Sequence, residues 1–217
     1  MLGLGLSAAA QRPTPGWNTP WRNADGSLKD AVELGGGYNT TVGAARAYQG
    51  TGWSYRAGGG YRLNHLFAAL IEYNYDYFGI PRPLVSSYFP GDYGNVHLWS
   101  LTLEPTVDYF STEHLGGYLI GGGGFYRKVN VIRPACPAGG GTCSFAPGDT
   151  AAHFSNNAVG ANIGAGFGWR VWDSSNAKLF IEARYVWVDN TPSSHNIVFP
   201  PANQRTSYTP LTGGVRW

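Results

Sequence analysis

Charged side chains recur at even spacings through this sequence. They are Glu33, the pair Arg56 and Arg62, Glu72 and Asp76, Glu104 and Asp108, Arg170, Glu182 and Arg184, and Arg216. Residues two or four apart along an extended chain project from one face. Six acids and five arginines on such faces form a nearly balanced set. An arginine fork can satisfy two carboxylates at once, so the set suits cross-linking of a confined polar interior. The same residues could also line a narrow gated path for ions or small solutes. A second group is His153-Phe154-Ser155-Asn156, a base two residues from a hydroxyl. Hydrolysis by such a pair needs an acid to orient the base. The following stretch, Val159 to Val171, contains none, and Glu182 or Asp189 would have to be brought close by the fold. Glycine runs at 35–37, 58–60 and 121–124 lack the Lys-Ser/Thr of a phosphate loop and open no helical pattern. No cluster has metal-ligand spacing, and no cofactor is expected. Cys136 and Cys143, close together in a Pro/Gly-rich stretch, read as a disulfide of an exported chain.

These charges sit in segments that alternate. Leu101, Leu103, Val107 and Tyr109 oppose Thr102, Glu104, Thr106 and Asp108. Ile71, Tyr73, Tyr75 and Tyr77 oppose Glu72, Asn74 and Asp76. Ile181, Ala183, Tyr185 and Trp187 oppose Glu182, Arg184 and Val186. In each case one face is apolar and aromatic and the other carries the charge. Only 13% of the residues are charged, roughly half the usual share. Such a chain wets a soluble surface poorly. Its longest clean apolar run beyond the N-terminus is Leu66 to Ile71, far short of the ~20 residues of a spanning helix. A closed barrel is the other way to satisfy every backbone group in lipid. A net charge of +2 gives no sign of a nucleic-acid partner.

The alternating segments number eight, beginning near Val32, Trp53, Phe67, His97, Leu115, Val159, Leu179 and Leu211. The glycines between Leu115 and Lys128 blur which face of the fifth is which. Short turns near Asn64, Ser111 to His114 and Asp173 to Asn176 alternate with long stretches at 44–51, 79–95, 129–156 and 189–205. That is the outer-membrane pattern. The expected fold is all-β, an eight-stranded antiparallel transmembrane up-and-down barrel with both termini on the periplasmic side. Outward aromatics fall in two sets: Trp53, Tyr77, Trp99 and Trp187 towards the long loops, and Tyr61, Phe67, Tyr109, Trp169 and Trp217 towards the short turns. Within each strand the sets are about a tilted hydrocarbon span apart, as girdles at two interfaces require. Residues 1–10 read as a signal-peptide remnant, 11–28 as a lead-in and 29–217 as the barrel. Pro105 and Pro210 cannot donate to a ladder and should mark bulges or frayed pairing.

With the strands placed, the chain resembles the OmpA/OmpX-like outer-membrane β-barrel superfamily. The carriers are Asn162-Ile163-Gly164-Ala165-Gly166, Phe180-Ile181-Glu182-Ala183-Arg184-Tyr185 and the terminal Leu211-Thr212-Gly213-Gly214-Val215-Arg216-Trp217. The resemblance implies a bacterial outer-membrane location among outer-membrane lipids and lipopolysaccharide. It also implies reading of the C-terminal strand by the barrel-assembly machinery, with Trp217 in place of the commoner Phe. His153-Phe154-Ser155-Asn156 resembles the His-x-Ser-Asn of the lipid A deacylases, which makes a lipid A-modifying hydrolase one alternative. The primary expectation is non-enzymatic: a structural or adhesive barrel over a plugged lumen, whose long loops offer a possible site for an extracellular ligand. A narrow gated channel is the other alternative.

Overall fold

The computed structural model describes residues 28–89, 92–112, 114–134, 150, 152–171, 177–190 and 205–217. Eight strands run up and down in order: β1 Asp30–Thr41, β2 Gly52–Arg62, β3 Phe67–Ile80, β4 Tyr93–Ser111, β5 Leu115–Arg133, β6 Ala152–Arg170, β7 Lys178–Asp189 and β8 Thr206–Arg216. Each pairs antiparallel with its neighbour, and β1 pairs with β8, so the barrel is closed. Closure leaves no unpaired edge for lipid to desolvate.

The alternation sorts the side chains. Val159, Ile163, Leu34, Ile71, Leu101 and Leu103 are all more than half exposed on the outside, while Glu72 and Glu104 are fully buried inside. Charge inside and leucine outside invert the soluble pattern and belong to a barrel that sits in lipid. No described helix is long and apolar enough to cross a membrane.

Both prolines interrupt pairing, each towards one neighbour. The β4–β5 register lapses at Glu104 and Pro105 and resumes at Thr106. The β7–β8 register lapses at Thr209 and Pro210 without a shift. A separate register shift falls between Asp108 and Phe110, near the end of β4.

The strands reach further than the alternation alone marks. β4, β5 and β6 are 19 residues each, where the hydrocarbon core asks for about 9–11. Both ends of the expected long loop from Val129 to Asn156 are therefore ladder: β5 continues to Arg133 and β6 begins at Ala152. Val129, Val131 and Ile132 favour extended backbone. The opposite outward positions are the polar His153, Ser155 and Asn157, which suits a hairpin projecting beyond the apolar belt. The stretch 79–95 is also ordered. It holds a short helix, α1 Arg82–Tyr88, and a 3₁₀ turn occupies Gly43–Ala47. Cys136, Cys143 and the segment 1–27 lie outside the described residues.

Candidate functional site

Inward positions from six strands converge on a charged cluster at mid-barrel. Arg184 on β7 is its hub. It donates through both terminal nitrogens to the two oxygens of Glu72 on β3, at 2.8 and 2.9 Å. Its Nε donates to Glu182, two residues back on the same strand. Glu33 and Glu104 each lie 3.7 Å from its guanidinium. Arg56 on β2 reaches Glu182 at 2.7 Å and Glu33 at 3.3 Å. Arg216 on β8 donates through Nε to Glu33 at 2.9 Å and stands over the Tyr118 ring. Every one of these charges is buried. Burial makes an ion costly unless it is paired and its remaining lone pairs are satisfied.

Neutral donors supply what the three arginines do not. Asn162 donates to Glu104 at 2.6 Å and Tyr118 to Glu182 at 2.9 Å. Asp76, one tier nearer the long loops, accepts from Asn39 at 2.8 Å and Tyr208 at 2.7 Å. Glycines make room for the long side chains. A Cβ on Gly164 would stand 2.6 Å from Arg184 Cγ, and one on Gly166 would stand 2.4 Å from the Tyr118 ring. The glycine series thus marks close approach, as in strands generally.

Above Asp76 the interior changes character. Lys128 and Asn190 both hydrogen-bond Thr206, at 3.2 Å each. Around and beyond them Phe78, Val96, Leu98, Ile132 and Val188 form an apolar plug. Val85 of α1 is fully buried in it, with Leu84 and Phe89 packed alongside. The helix therefore closes the loop-side mouth. Between plug and cluster lies a cavity of about 20 Å³ lined by Ser54, Asp76, Ser100 and Tyr208, room for about one water.

The short-turn mouth differs. Arg62 pairs with Asp108 at 2.8 Å, and Arg170 reaches inward with no hydrogen bond to its buried Nε. So the eleven charges singled out from the sequence divide. Seven form the cluster (Glu33, Arg56, Glu72, Glu104, Glu182, Arg184, Arg216), Asp76 sits above it, and Arg62, Asp108 and Arg170 line the lower mouth. Lys128 and Lys178 are interior cations that the sequence pattern did not yield. Lys128 lies in the glycine-blurred strand, and Lys178 precedes the first clear alternation of β7. The signal that finds Lys128 is parity with Tyr118, Ile120 and Tyr126.

On the outer face Trp53, Tyr55, Tyr75, Tyr77, His97 and Trp99 form one continuous ring cluster, with centroids 5.1–6.2 Å apart. Trp187 stands exposed on β7 near the same end; Tyr61, Phe67, Tyr109, Trp169 and Trp217 are exposed near the other. His153 and Ser155 also point outward, and Asn156 points in. No hydrogen bond joins His153 to Ser155 or to any described carboxylate, so an oriented triad is not assembled. No group of metal ligands occurs among the described residues.

No protein-family model matches the sequence, and no curated protein matches it. Solved structures do match the fold. Neisserial surface protein A superposes with a TM-score of 0.51 at 15% identity, over 86% of this chain and 95% of that one. Ail, the attachment invasion locus protein of Yersinia pestis, solved with the heparin analogue sucrose octasulfate, gives 0.47 at 12% identity, over 88% and 100%. At 15% identity the first likeness establishes a shared small-barrel fold.

Proposed function

We propose that the chain is a bacterial outer-membrane barrel with a structural or adhesive role, anchored in lipid and presenting its long loops over a lumen that does not conduct. The observation that carries this reading is the Arg184 cluster, whose ion pairs tie β7 across the bore to β1, β3 and β4. An eight-stranded interior is only wide enough for side chains to fill. The apolar plug beneath α1 adds a second closure. Both supports argue against the gated-channel alternative. The hydrolase alternative has no acid beside His153 among the described residues. In this reading the termini are periplasmic, and the two aromatic sets meet the two membrane interfaces. The terminal strand through Trp217 is what the assembly machinery reads, and lipopolysaccharide surrounds the loop-side girdle. The protruding β5–β6 hairpin is the element placed to meet an extracellular ligand.

The test is surface display. Cells carrying the full chain should attach to ligand-coated surfaces better than cells in which residues 135–149 are replaced by a short turn. Heat-modifiable gel mobility verifies that both barrels fold. Equal attachment by the two strains, with both barrels folded, would remove the adhesive role and leave the anchor alone.

A further inference from the structure

At the short-turn end the barrel opens into a cavity of about 260 Å³. Its walls carry Arg62, Arg170, Lys178 and Arg216, with Asp108 as the acid among them. Three of these cations stand in one cross-strand row. Arg170 on β6 lies opposite Lys178 on β7, and Lys178 lies opposite Arg216 on β8. Like charges directly opposite one another destabilise a sheet, so the row has a cost that something must offset.

Within the protein the offset is incomplete. Arg216 is held by Glu33 at 2.9 Å and Arg62 by Asp108 at 2.8 Å. Arg170 and Lys178 form no ion pair with any described carboxylate, and the buried Nε of Arg170 donates to nothing. Two positive charges therefore face a cavity whose only described acid, Asp108, is already paired with Arg62. Phe110, Tyr118 and Phe180 complete its wall, lowering the local dielectric and strengthening any charge interaction there.

We propose that this vestibule is a binding site for a phosphate group, held between Arg170 and Lys178 with Arg216 behind them. A phosphate matches the site in charge, since it carries about −1.5 to −2 near neutral pH. It matches in donors too, because a planar guanidinium and an ammonium are the two side chains that bind phosphate oxygens best. A single carboxylate would leave one of the two cations uncompensated. The group is a phosphate with a second ionisable oxygen, either a soluble anion or the monoester headgroup of phosphatidic acid in the leaflet beside the short turns; both present the same chemistry to the row.

The experiment uses the full chain folded in a non-ionic detergent, titrated calorimetrically with inorganic phosphate. Saturable binding is expected, and phosphate should raise the thermal midpoint. Arg170→Gln and Lys178→Gln should each weaken binding by about tenfold, the loss of one charged hydrogen-bond partner. Arg127→Gln, on the outer face, should leave it unchanged. Without phosphate the Arg170→Gln/Lys178→Gln double variant should be at least as stable as the parent, because repulsion is relieved. Repeating the titration in neutral-lipid nanodiscs doped with phosphatidic acid separates the sources: competition assigns the headgroup, and undiminished phosphate binding assigns a soluble anion. No saturable binding by the parent, equal binding by the double variant, or a double variant that fails to fold would each overturn the proposal.

Discussion

The two ends of the lumen are built from opposite materials. At the loop end Phe78, Val96, Leu98, Ile132 and Val188 meet α1, and Val85 is fully buried among them. At the turn end the wall is Arg62, Arg170, Lys178 and Arg216 around an open cavity. Between them lies the carboxylate–guanidinium cluster. An apolar plug gains stability by excluding water, whereas a row of cations is tolerable only where water or an anion enters. The barrel is therefore a closed-bottom cup whose mouth faces the short turns. One interior holds three environments because inward positions on successive tiers differ, while the outward faces stay apolar across the lipid-facing belt.

Substitutions at each level should separate these environments. The largest effect is expected at the cluster. Arg184→Ala strands Glu72 and Glu182 in the interior and should cost about 3–5 kcal/mol, read as a lower urea midpoint by tryptophan fluorescence. Arg133→Ala, exposed at the end of β5, should stay within about 0.5 kcal/mol. Next comes the outer face. Leu101→Arg places a charge in the lipid-facing belt and should cost about 2–4 kcal/mol. Equal loss from Leu101→Arg and the inward Thr102→Arg would show that lipid exposure does not set the penalty.

The two ends should then respond with opposite signs. Val85→Ala removes buried methyl groups from the plug and should cost about 2 kcal/mol. Lys178→Gln, measured without phosphate, should change stability by a few tenths of a kcal/mol in the favourable direction, since it removes a like-charge neighbour of Arg170 and Arg216. If Lys178→Gln destabilises as much as Val85→Ala, the turn end is an ordinary packed closure and the contrast fails.

Most of the barrel is legible in the sequence because lipid and lumen demand opposite residues every second position. Glu104 between Leu103 and Pro105, or Glu182 between Ile181 and Ala183, announces its own face. Where that contrast fades, reading fails. In β5 glycines occupy both faces, so the pattern does not mark Lys128 as inward. The upper parts of β5 and β6 project beyond the apolar belt, where His153, Ser155 and Asn157 need not be apolar and look like loop. Helix α1 is seven residues long with one buried valine, too short for helical periodicity. Nor does the pairing within the cluster follow from pattern alone. Arg184 faces four glutamates, and only the closed register decides that Glu72 takes the bidentate bond.

The central claim is that the lumen is sealed by paired charges beneath an apolar plug. Planar-bilayer recording of the purified, folded chain tests it most directly. The account predicts no stable conductance steps from the wild-type protein. Sustained, large, porin-like conductance from that protein would contradict it.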